Sequence, residues 1–234
     1  MNPILVALDM PDVDAAEDLA RKLAGTVRGF KVGLELMMAE GPAALERIAS
    51  LGSPVFADVK LADIPNTVHE ASMQLAKHGA RWVTVHAAGG GEMISAAVAG
   101  LDHGAEGRDV GVLAVTVLTS LDSDDLQTTG ITRSLDEQVE ALSVLASLHG
   151  AEGVVCSPRE ASIVKAAAPD LLAVTPGIRL AAGDHHDQKR VSTPAAALGN
   201  GADLLVIGRA ITKSPDPLRT VEEIVAVLQS ESSI

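Results

Sequence analysis

The 234-residue sequence has no tyrosine, two phenylalanines, one tryptophan and one cysteine. Because aromatic residues make up only 1% of the chain, the core must be built from alanine, valine, leucine and isoleucine. Base-stacking platforms for single-stranded nucleic acid are therefore excluded. The lone cysteine, Cys156, excludes an internal disulfide and a CxxC metal site, and we expect a small core residue there. No apolar run is long enough to span a bilayer, and the N-terminus lacks the features of a signal peptide, so we expect a cytoplasmic protein.

Positive charge is also scarce, with 18 Lys and Arg against 31 Asp and Glu and a formal net charge of −13. A field of that sign repels nucleic acid and anionic membranes, so we expect neither as a partner. The acidic surplus is typical of ordinary solubility, and adaptation to a saline cytoplasm is the alternative. A phosphorylated substrate would require the few cations to be concentrated locally.

Short β-branched segments alternate with longer alanine-rich helical patterns along the whole chain, and several of these patterns start with an Asp, Ser or Asn that can cap a helix. We predict eight strands, "ILVALD", "GFKVGL", "PVFADVK", "WVTVHA", "GVLAVTVL", "GVVCS", "LLAVTPG" and "DLLVIGR". They are continuous apolar runs, as expected for parallel strands covered on both faces. Eight strand–helix units with no linker predict an α/β protein, a single (β/α)₈ TIM barrel of parallel strands that forms one catalytic domain over residues 1–234. The alternative, an open doubly wound sheet, would require a glycine-rich fingerprint after the first strand, where Asp9 stands instead.

In such a barrel, functional residues lie at the carboxyl ends of the strands. Polar residues follow seven of the eight predicted strands, which is more consistent than loops alone require. These residues include Asp9, Lys31, Glu35, Asp58, Lys60, Asp63, His86, Thr119, Ser120, Arg179 and Arg209.

The segment "FADVKLADIPNT", residues 56–67, places three charged residues where a buried strand meets its loop. Asp58 and Lys60 are two apart on a strand and should face the barrel interior, whereas Val59 should face the helices. Lys31, which should share one face of the neighbouring strand with Gly33 and Glu35, can approach Asp58 laterally. This suggests alternating charges that continue to Asp63. A structural ion-pair network is one interpretation. A reaction centre is the other, and a lysine kept protonated by paired carboxylates favours it.

The loops after the last two predicted strands, "TPGIRLAAGDHHDQKR" and "IGRAITKSPDP", are where barrels often bind phosphate. Gly177 and Gly208 allow close backbone approach, and Arg179 and Arg209 supply planar bidentate donors. Gln188 adds an amide donor from the longer loop, which is the natural lid. We therefore predict an anion site at these two strand ends.

The histidines provide no metal site. His185 and His186 are adjacent on a polar loop with no third ligand, so we interpret them as solvated. His86 is more typical of a structural histidine at the barrel mouth than of a catalytic base.

These residues carry a family likeness, because "DVKLADIPNT" resembles the D-x-K-x-x-D-I-P-N-T signature of the orotidine 5'-phosphate decarboxylases, most of all their bacterial form. The likeness covers the whole chain, since "VALD", "KVG", "VTVLTS", "GVVCS", "VTPGIR" and "VIGRAIT" occur in order. It implies conversion of orotidine 5'-phosphate (OMP), a small-molecule substrate, to UMP and CO₂ in de novo pyrimidine biosynthesis, with no metal or organic cofactor. It also implies a homodimer with the site at the interface.

The resemblance implies roles for individual residues. Lys60 would protonate C6 of the pyrimidine, and Lys31, Asp58 and Asp63 would complete a charged tetrad, with Asp63 supplied by the partner subunit. Asp9 and Thr67 would hold ribose hydroxyls, Thr67 from across the interface. Thr119, with Ser120 beside it, would lie against the pyrimidine. The phosphate would be held by Arg179, Gln188, Gly208 and Arg209. Besides Lys31 and Asp58, the substrate-binding residues are Asp9, Ile64, Pro65, Thr67, Thr119, Ser120, Pro176, Arg179, Gln188, Gly208 and Arg209.

Two alternatives remain at this point. A metal-dependent phosphosugar lyase or decarboxylase on the same barrel, of the hexulose-phosphate synthase or ketogulonate-phosphate decarboxylase type, would keep the Asp–Lys pair and the phosphate site. A non-catalytic nucleotide-binding protein would bind without turnover.

Overall fold

The computed structural model describes residues 2–179 and 192–231, and within them eight parallel strands close into a barrel in sequence order. The strands are β1 (Ile4–Ala7), β2 (Gly29–Gly33), β3 (Val55–Leu61), β4 (Ala80–His86), β5 (Gly111–Val115), β6 (Gly153–Val155), β7 (Leu172–Thr175) and β8 (Leu204–Ile207). The last strand pairs with the first, Ile4 beside Leu205, which closes the ring. Each of the eight predicted strands is present, so the predicted (β/α)₈ barrel is confirmed.

Helices connect the strands over the outside of the barrel. They are α1 (Val13–Leu23), α2 (Leu34–Glu40), α3 (Ala43–Ala49), α4 (Pro65–Lys77), α5 (Gly91–Ala105), α6 (Ser123–Thr128), α7 (Leu135–Leu148), α8 (Ala161–Ala167), α9 (Pro194–Gly199), α10 (Arg209–Thr212) and α11 (Pro217–Glu231). Several begin at predicted capping residues: the Asp12 carboxylate accepts from the first turn of α1, and Ser134 forms a capping box with Glu137. These caps satisfy backbone N–H groups that a helix leaves unpaired at its start.

The core has two layers because side chains on a strand alternate between the barrel interior and the helices. The inner layer contains Leu5, Ala7, Phe56, Trp82, Leu113, Val174, Leu204 and Val206. The outer layer, between strands and helices, consists mainly of aliphatic residues together with Cys156, which is buried as expected. All three aromatic residues are buried. Two of them, Phe56 and Trp82, fill the interior below the mouth of the barrel.

The opposite end of the barrel is held by a charged cluster. Arg81 donates two hydrogen bonds of 2.7 Å to Glu152, whose carboxylate also accepts from the indole of Trp82 at 3.1 Å. The Arg81 guanidinium lies 4.6 Å from the Trp82 ring centroid, within cation–π range. These contacts join β4 to the residue that precedes β6, so they fix the barrel floor.

One local prediction is wrong. Glu35 was expected on the second strand, but β2 ends at Gly33 and Glu35 lies in the first turn of α2. Val59 packs on the helix side as predicted, but the strand there is not regular. Ala57 pairs with Val83 and Leu61 with Val85, so β3 carries two more residues than β4 over this stretch. This β-bulge lies at the Asp58–Lys60 pair. Bulges are frequent next to functional sites.

Candidate active site

A cavity of about 670 Å³ opens at the carboxyl ends of the strands, within the range usual for small-molecule sites. Its apolar wall comes from side chains that point into the barrel, among them Phe56, Val115, Val155 and Val206. Parallel strands bring their carboxyl ends to one side, which is why residues far apart in sequence meet here.

The described lining of this cavity is positive although the protein is acidic. Five cationic and three anionic side chains line it: Lys31, Lys60, Arg179, Arg209 and Lys213, with Asp9, Glu35 and Asp58. Against a net charge of −13 for the whole chain, this concentration favours an anionic ligand.

Four of these charged groups form a continuous chain of ion pairs. The Lys31 ammonium lies 2.8 Å from Asp9 Oδ1 and 3.4 Å from Asp58 Oδ2. Lys60 Nζ donates to Asp58 Oδ1 at 2.7 Å. The predicted approach of Lys31 to Asp58 is present, and the chain then alternates in the order Asp9, Lys31, Asp58, Lys60. The charge pattern suggested Asp63 as the second carboxylate of the cluster, but in the structure of the chain that carboxylate is Asp9.

Asp58 is held as a carboxylate. Burial, the largest single influence, would raise the pKa of Asp58, but Lys31, Lys60 and the Thr84 hydroxyl together outweigh it, so this pKa lies below the usual range. His86, at the end of β4, is affected in the opposite sense. Burial and the nearby Lys60 ammonium lower the pKa of His86, with Asp58 opposing them, so the neutral imidazole is favoured.

The two arginines predicted to bind phosphate lie on the same cavity. The pKa of Arg179 is lowered by partial burial and by the positive charge of Arg209. Like charges held in each other's field are unfavourable without an anion between them. The arrangement therefore suits a phosphate, with the exposed Lys213 as a third cation nearby.

The structure brings most predicted site residues to the cavity. Lining it are Asp9, Lys31, Asp58, Lys60, Thr119, Pro176, Arg179, Gly208 and Arg209. Ser120 lies in the exposed turn after Thr119 and is outside the lining. Gln188, like His185 and His186, lies outside the described residues.

A second group of predicted residues is separate from the cavity of its own chain. Asp63, Ile64, Pro65 and Thr67 lie in the turn after β3 and the start of α4, and all are exposed. The Asp63 carboxylate accepts a hydrogen bond of 2.7 Å from the backbone N–H of Ile64. Ile64 is 67% exposed.

Sequence reasoning missed two residues. Lys213 follows Arg209 by four positions, the spacing of one helical turn, which could have identified it. Thr84 is a fully buried polar residue between two valines, two positions before His86, and it contacts both Asp58 and Lys60. A lone threonine in "WVTVHA" is ordinary in a strand, so only its contacts distinguish it.

Between residues 2 and 179 and between 192 and 231, His, Cys, Asp and Glu form no group of three or more suited to a metal ion. In the same ranges, none of the helices has the length and apolar character required to cross a membrane.

Comparison with known proteins identifies the family. The sequence model described as the "Orotidine 5'-phosphate decarboxylase / HUMPS family" matches residues 2–224. The chain belongs to this family. The resemblance drawn from "DVKLADIPNT" is thereby confirmed, and the ion-pair chain of the cavity includes the Asp58 and Lys60 of that segment.

Individual family members resemble the chain over nearly its full length. Orotidine 5'-phosphate decarboxylase of Anaeromyxobacter dehalogenans is 50% identical over 226 residues, covering 96% of this chain and 97% of the relative. The protein of the same name from Paramagnetospirillum magneticum is 46% identical over 232 residues, covering 97% and 99%. The crystal structure of orotidine 5'-phosphate decarboxylase from Lactobacillus acidophilus superposes with a TM-score of 0.86 at 36% identity, covering 97% and 99%.

Proposed function

We propose that this chain is a carboxy-lyase that converts OMP to UMP and CO₂ in de novo pyrimidine biosynthesis without a cofactor. The observation that carries the proposal is the hydrogen-bonded Asp58–Lys60 pair on a cavity that also holds Arg179 and Arg209. Family membership and relatives of that name at up to 50% identity support it. We also infer one catalytic domain over residues 1–234 and a cytoplasmic location.

The chemistry follows from where the charges lie. In the proposed complex the substrate carboxylate approaches Asp58, and two like charges about 4 Å apart repel by roughly 4 kcal/mol at an effective dielectric constant of 20. When the bond from C6 to the carboxylate breaks, CO₂ leaves and its electron pair stays on C6. The Lys60 ammonium stabilises this carbanion and gives it a proton, which leaves a neutral amine that solvent reprotonates. Preorganised charge of this kind is usually the largest catalytic contribution, so we assign the larger share to Lys60.

The remaining cavity residues would bind the parts of the substrate that do not react. Arg179, Arg209, Gly208 and Gln188 would hold the phosphate, and this binding energy, remote from the reacting bond, would support catalysis. The side chain of Asp9 is 49% exposed, so it can accept from a ribose hydroxyl while it holds Lys31.

Thr119, Ser120 and Pro176 would contact the pyrimidine. Of these three, Thr119 and Pro176 line the cavity in the isolated chain.

We also propose a homodimer in which Asp63 and Thr67 reach the cavity of the partner subunit, with Ile64 and Pro65 beside them. In the isolated chain these residues are exposed, and the exposed apolar side chains of Leu34 and Leu118 lie on the cavity rim. Apolar exposure around a site is typical of a surface that another protein covers.

Turnover of OMP tests the reaction. Purified protein with EDTA should convert OMP to UMP, measured by the change in absorbance, and Lys60→Ala should lose this activity. Lys22→Ala, at an exposed lysine of α1, is the matched control and should retain it. Activity that requires added Mg²⁺ on a phosphosugar would instead support the metal-dependent alternative, and UMP binding without turnover would support a non-catalytic protein.

Complementation tests the dimer. Lys60→Ala and Asp63→Ala should each be inactive alone, whereas the mixed dimer has one cavity with both residues intact and should recover activity. The measurement is OMP turnover after the two variants are mixed and allowed to exchange subunits. A mixture as inactive as either variant would contradict the assignment of Asp63 to the partner's site.

A further inference from the structure

The backbone that carries the reacting pair has an unusual conformation. Lys60 has φ of +50°, in the left-handed region that residues with a side chain rarely adopt. It lies in the β3 bulge, where regular pairing with β4 is interrupted between Ala57 and Leu61. Such conformations persist only where the surrounding structure holds them.

One hydroxyl on the neighbouring strand contacts both members of the pair. The backbone N–H of Lys60 donates to Thr84 Oγ1 at 2.8 Å, and Thr84 Oγ1 in turn donates to Asp58 Oδ1 at 3.1 Å. A hydroxyl has one proton to donate, and a carboxylate can only accept, so the direction of both bonds is fixed. Thr84 is fully buried, so water does not compete for these positions.

The two bonds constrain different parts of the reacting pair. The bond from Lys60 holds the left-handed backbone, which determines where its side chain leaves the strand. The bond to Asp58 fixes Oδ1, the same oxygen that accepts from Lys60 Nζ at 2.7 Å. The register partner of Thr84 on β5 is Leu113, an apolar residue of the inner core that supplies no replacement hydrogen bond.

We propose that Thr84 is a positioning residue for the decarboxylation: its hydroxyl sets the distance and orientation between the Asp58 carboxylate and the Lys60 ammonium. Thr84 itself does not line the cavity, so it acts through the pair and not through the substrate. The inference rests on the proposed roles of Asp58 and Lys60. The competing explanation is that Thr84 only fills space in the barrel interior.

Substitutions that separate the hydroxyl from the methyl group distinguish the two explanations. Thr84→Val keeps the shape and removes both hydrogen bonds, and Thr84→Ser keeps the hydroxyl and removes the methyl group. We expect Thr84→Val to lower kcat about 100-fold, the effect of a displacement near 1 Å at a reacting group. We expect the kcat of Thr84→Ser to remain within about threefold of the wild-type value. Losing one hydrogen bond to a charged group would have a larger effect.

Binding should respond differently from turnover. The proposed phosphate and ribose contacts do not involve Thr84, so Thr84→Val should not weaken the binding of the unreacting parts of the substrate. KM for OMP and the Kd of UMP should therefore stay within about twofold of the wild-type values. Thr175→Val is the matched control: Thr175 is equally buried, and its hydroxyl donates to the carbonyl of Leu204 at 3.4 Å. Its kcat should match that of the wild type.

Either of two results would overturn the proposal. Wild-type kcat in Thr84→Val, or an equal loss in Thr84→Val and Thr84→Ser, shows that the hydroxyl does not position the pair. If Thr84→Val does not fold, as judged by circular dichroism, the comparison of Thr84→Ala with Thr84→Ser decides by the same criterion. Turnover that survives in Lys60→Ala would refute the proposed mechanism itself, a failure that the Thr84 variants cannot mimic.

Discussion

Gly33 tests how the ion-pair chain is assembled. A Cβ atom added to Gly33 would lie 2.6 Å from Asp9 Oδ1 and 2.7 Å from Lys31 Nζ. The backbone at Gly33 has φ of −91° and ψ of −178°, which any residue adopts, so an alanine there meets no backbone strain. The substitution Gly33→Ala therefore perturbs only the space that the Asp9–Lys31 pair occupies.

The size of the effect follows from the burial of the two partners. Non-bonded carbon contacts are favourable near 3.5 Å, so the charged atoms must move by roughly 0.8 Å. Asp9 is half exposed and can turn to water, whereas Lys31 is only 7% exposed and keeps Asp58 as its partner. Exposed pairs contribute up to about 1 kcal/mol. Disrupting fully buried pairs costs about 3–5 kcal/mol.

The Asp9–Lys31 pair has one half-exposed and one buried partner, so it lies between the exposed and the fully buried case. Gly33→Ala should therefore lower the free energy of unfolding by about 1–3 kcal/mol. For a chain of this length each kcal/mol lowers Tm by roughly 2–4 °C.

Thermal unfolding and OMP turnover should be measured together. We expect Gly33→Ala to lose at least about tenfold in kcat/KM, equivalent to about 1.4 kcal/mol, because the displaced Lys31 stays paired with Asp58 and shifts that carboxylate relative to Lys60. Gly199→Ala is the matched control, since a Cβ added there meets no atom within 4 Å. If Gly33→Ala unfolds and turns over as Gly199→Ala does, the pair adapts without cost and the reasoning is refuted.

Two further predictions concern the phosphate and the pH. Arg209→Ala should lower kcat/KM for OMP strongly but matter little for a phosphate-free analogue, because phosphate binding supports catalysis at a distance; equal losses on both substrates would contradict this. Burial raises the pKa of Asp58, but Lys31 and Lys60 outweigh it and keep the folded-state pKa below the unfolded value of about 3.9. The ionised Asp58 carboxylate therefore stabilises the folded state fully above about pH 3.9, and this stability is lost as the pH falls through the folded-state pKa. Urea unfolding should show a difference between wild type and Asp58→Asn that shrinks as the pH falls below about 4; a difference that stays constant there would oppose the assignment.

The fold could be predicted from local sequence patterns because interactions between residues close in sequence determine where strands and helices form. Continuous apolar runs mark strands buried on both faces, and caps such as Asp12 and Ser134 mark where helices begin. Barrel closure then follows from eight parallel units with short connections. The error at Glu35 has the same origin: the apolar pattern "GFKVGL" contains no signal for where the extended backbone ends, and Gly33 is compatible with strand and cap alike.

The sequence by itself determined which residues could react, since Asp58, Lys60 and the two arginines follow strands whose ends must meet at one side of the barrel. Only the tertiary structure decided which charges become neighbours. Asp9 lies 22 positions from Lys31 and pairs with it, whereas Asp63 is close in sequence to Lys60 and points out of its own cavity. Ion pairs between strands depend on register, and the register here is broken by a bulge that Thr84 contacts from the next strand. That information lies in the packing of β3 against β4, which no local pattern contains.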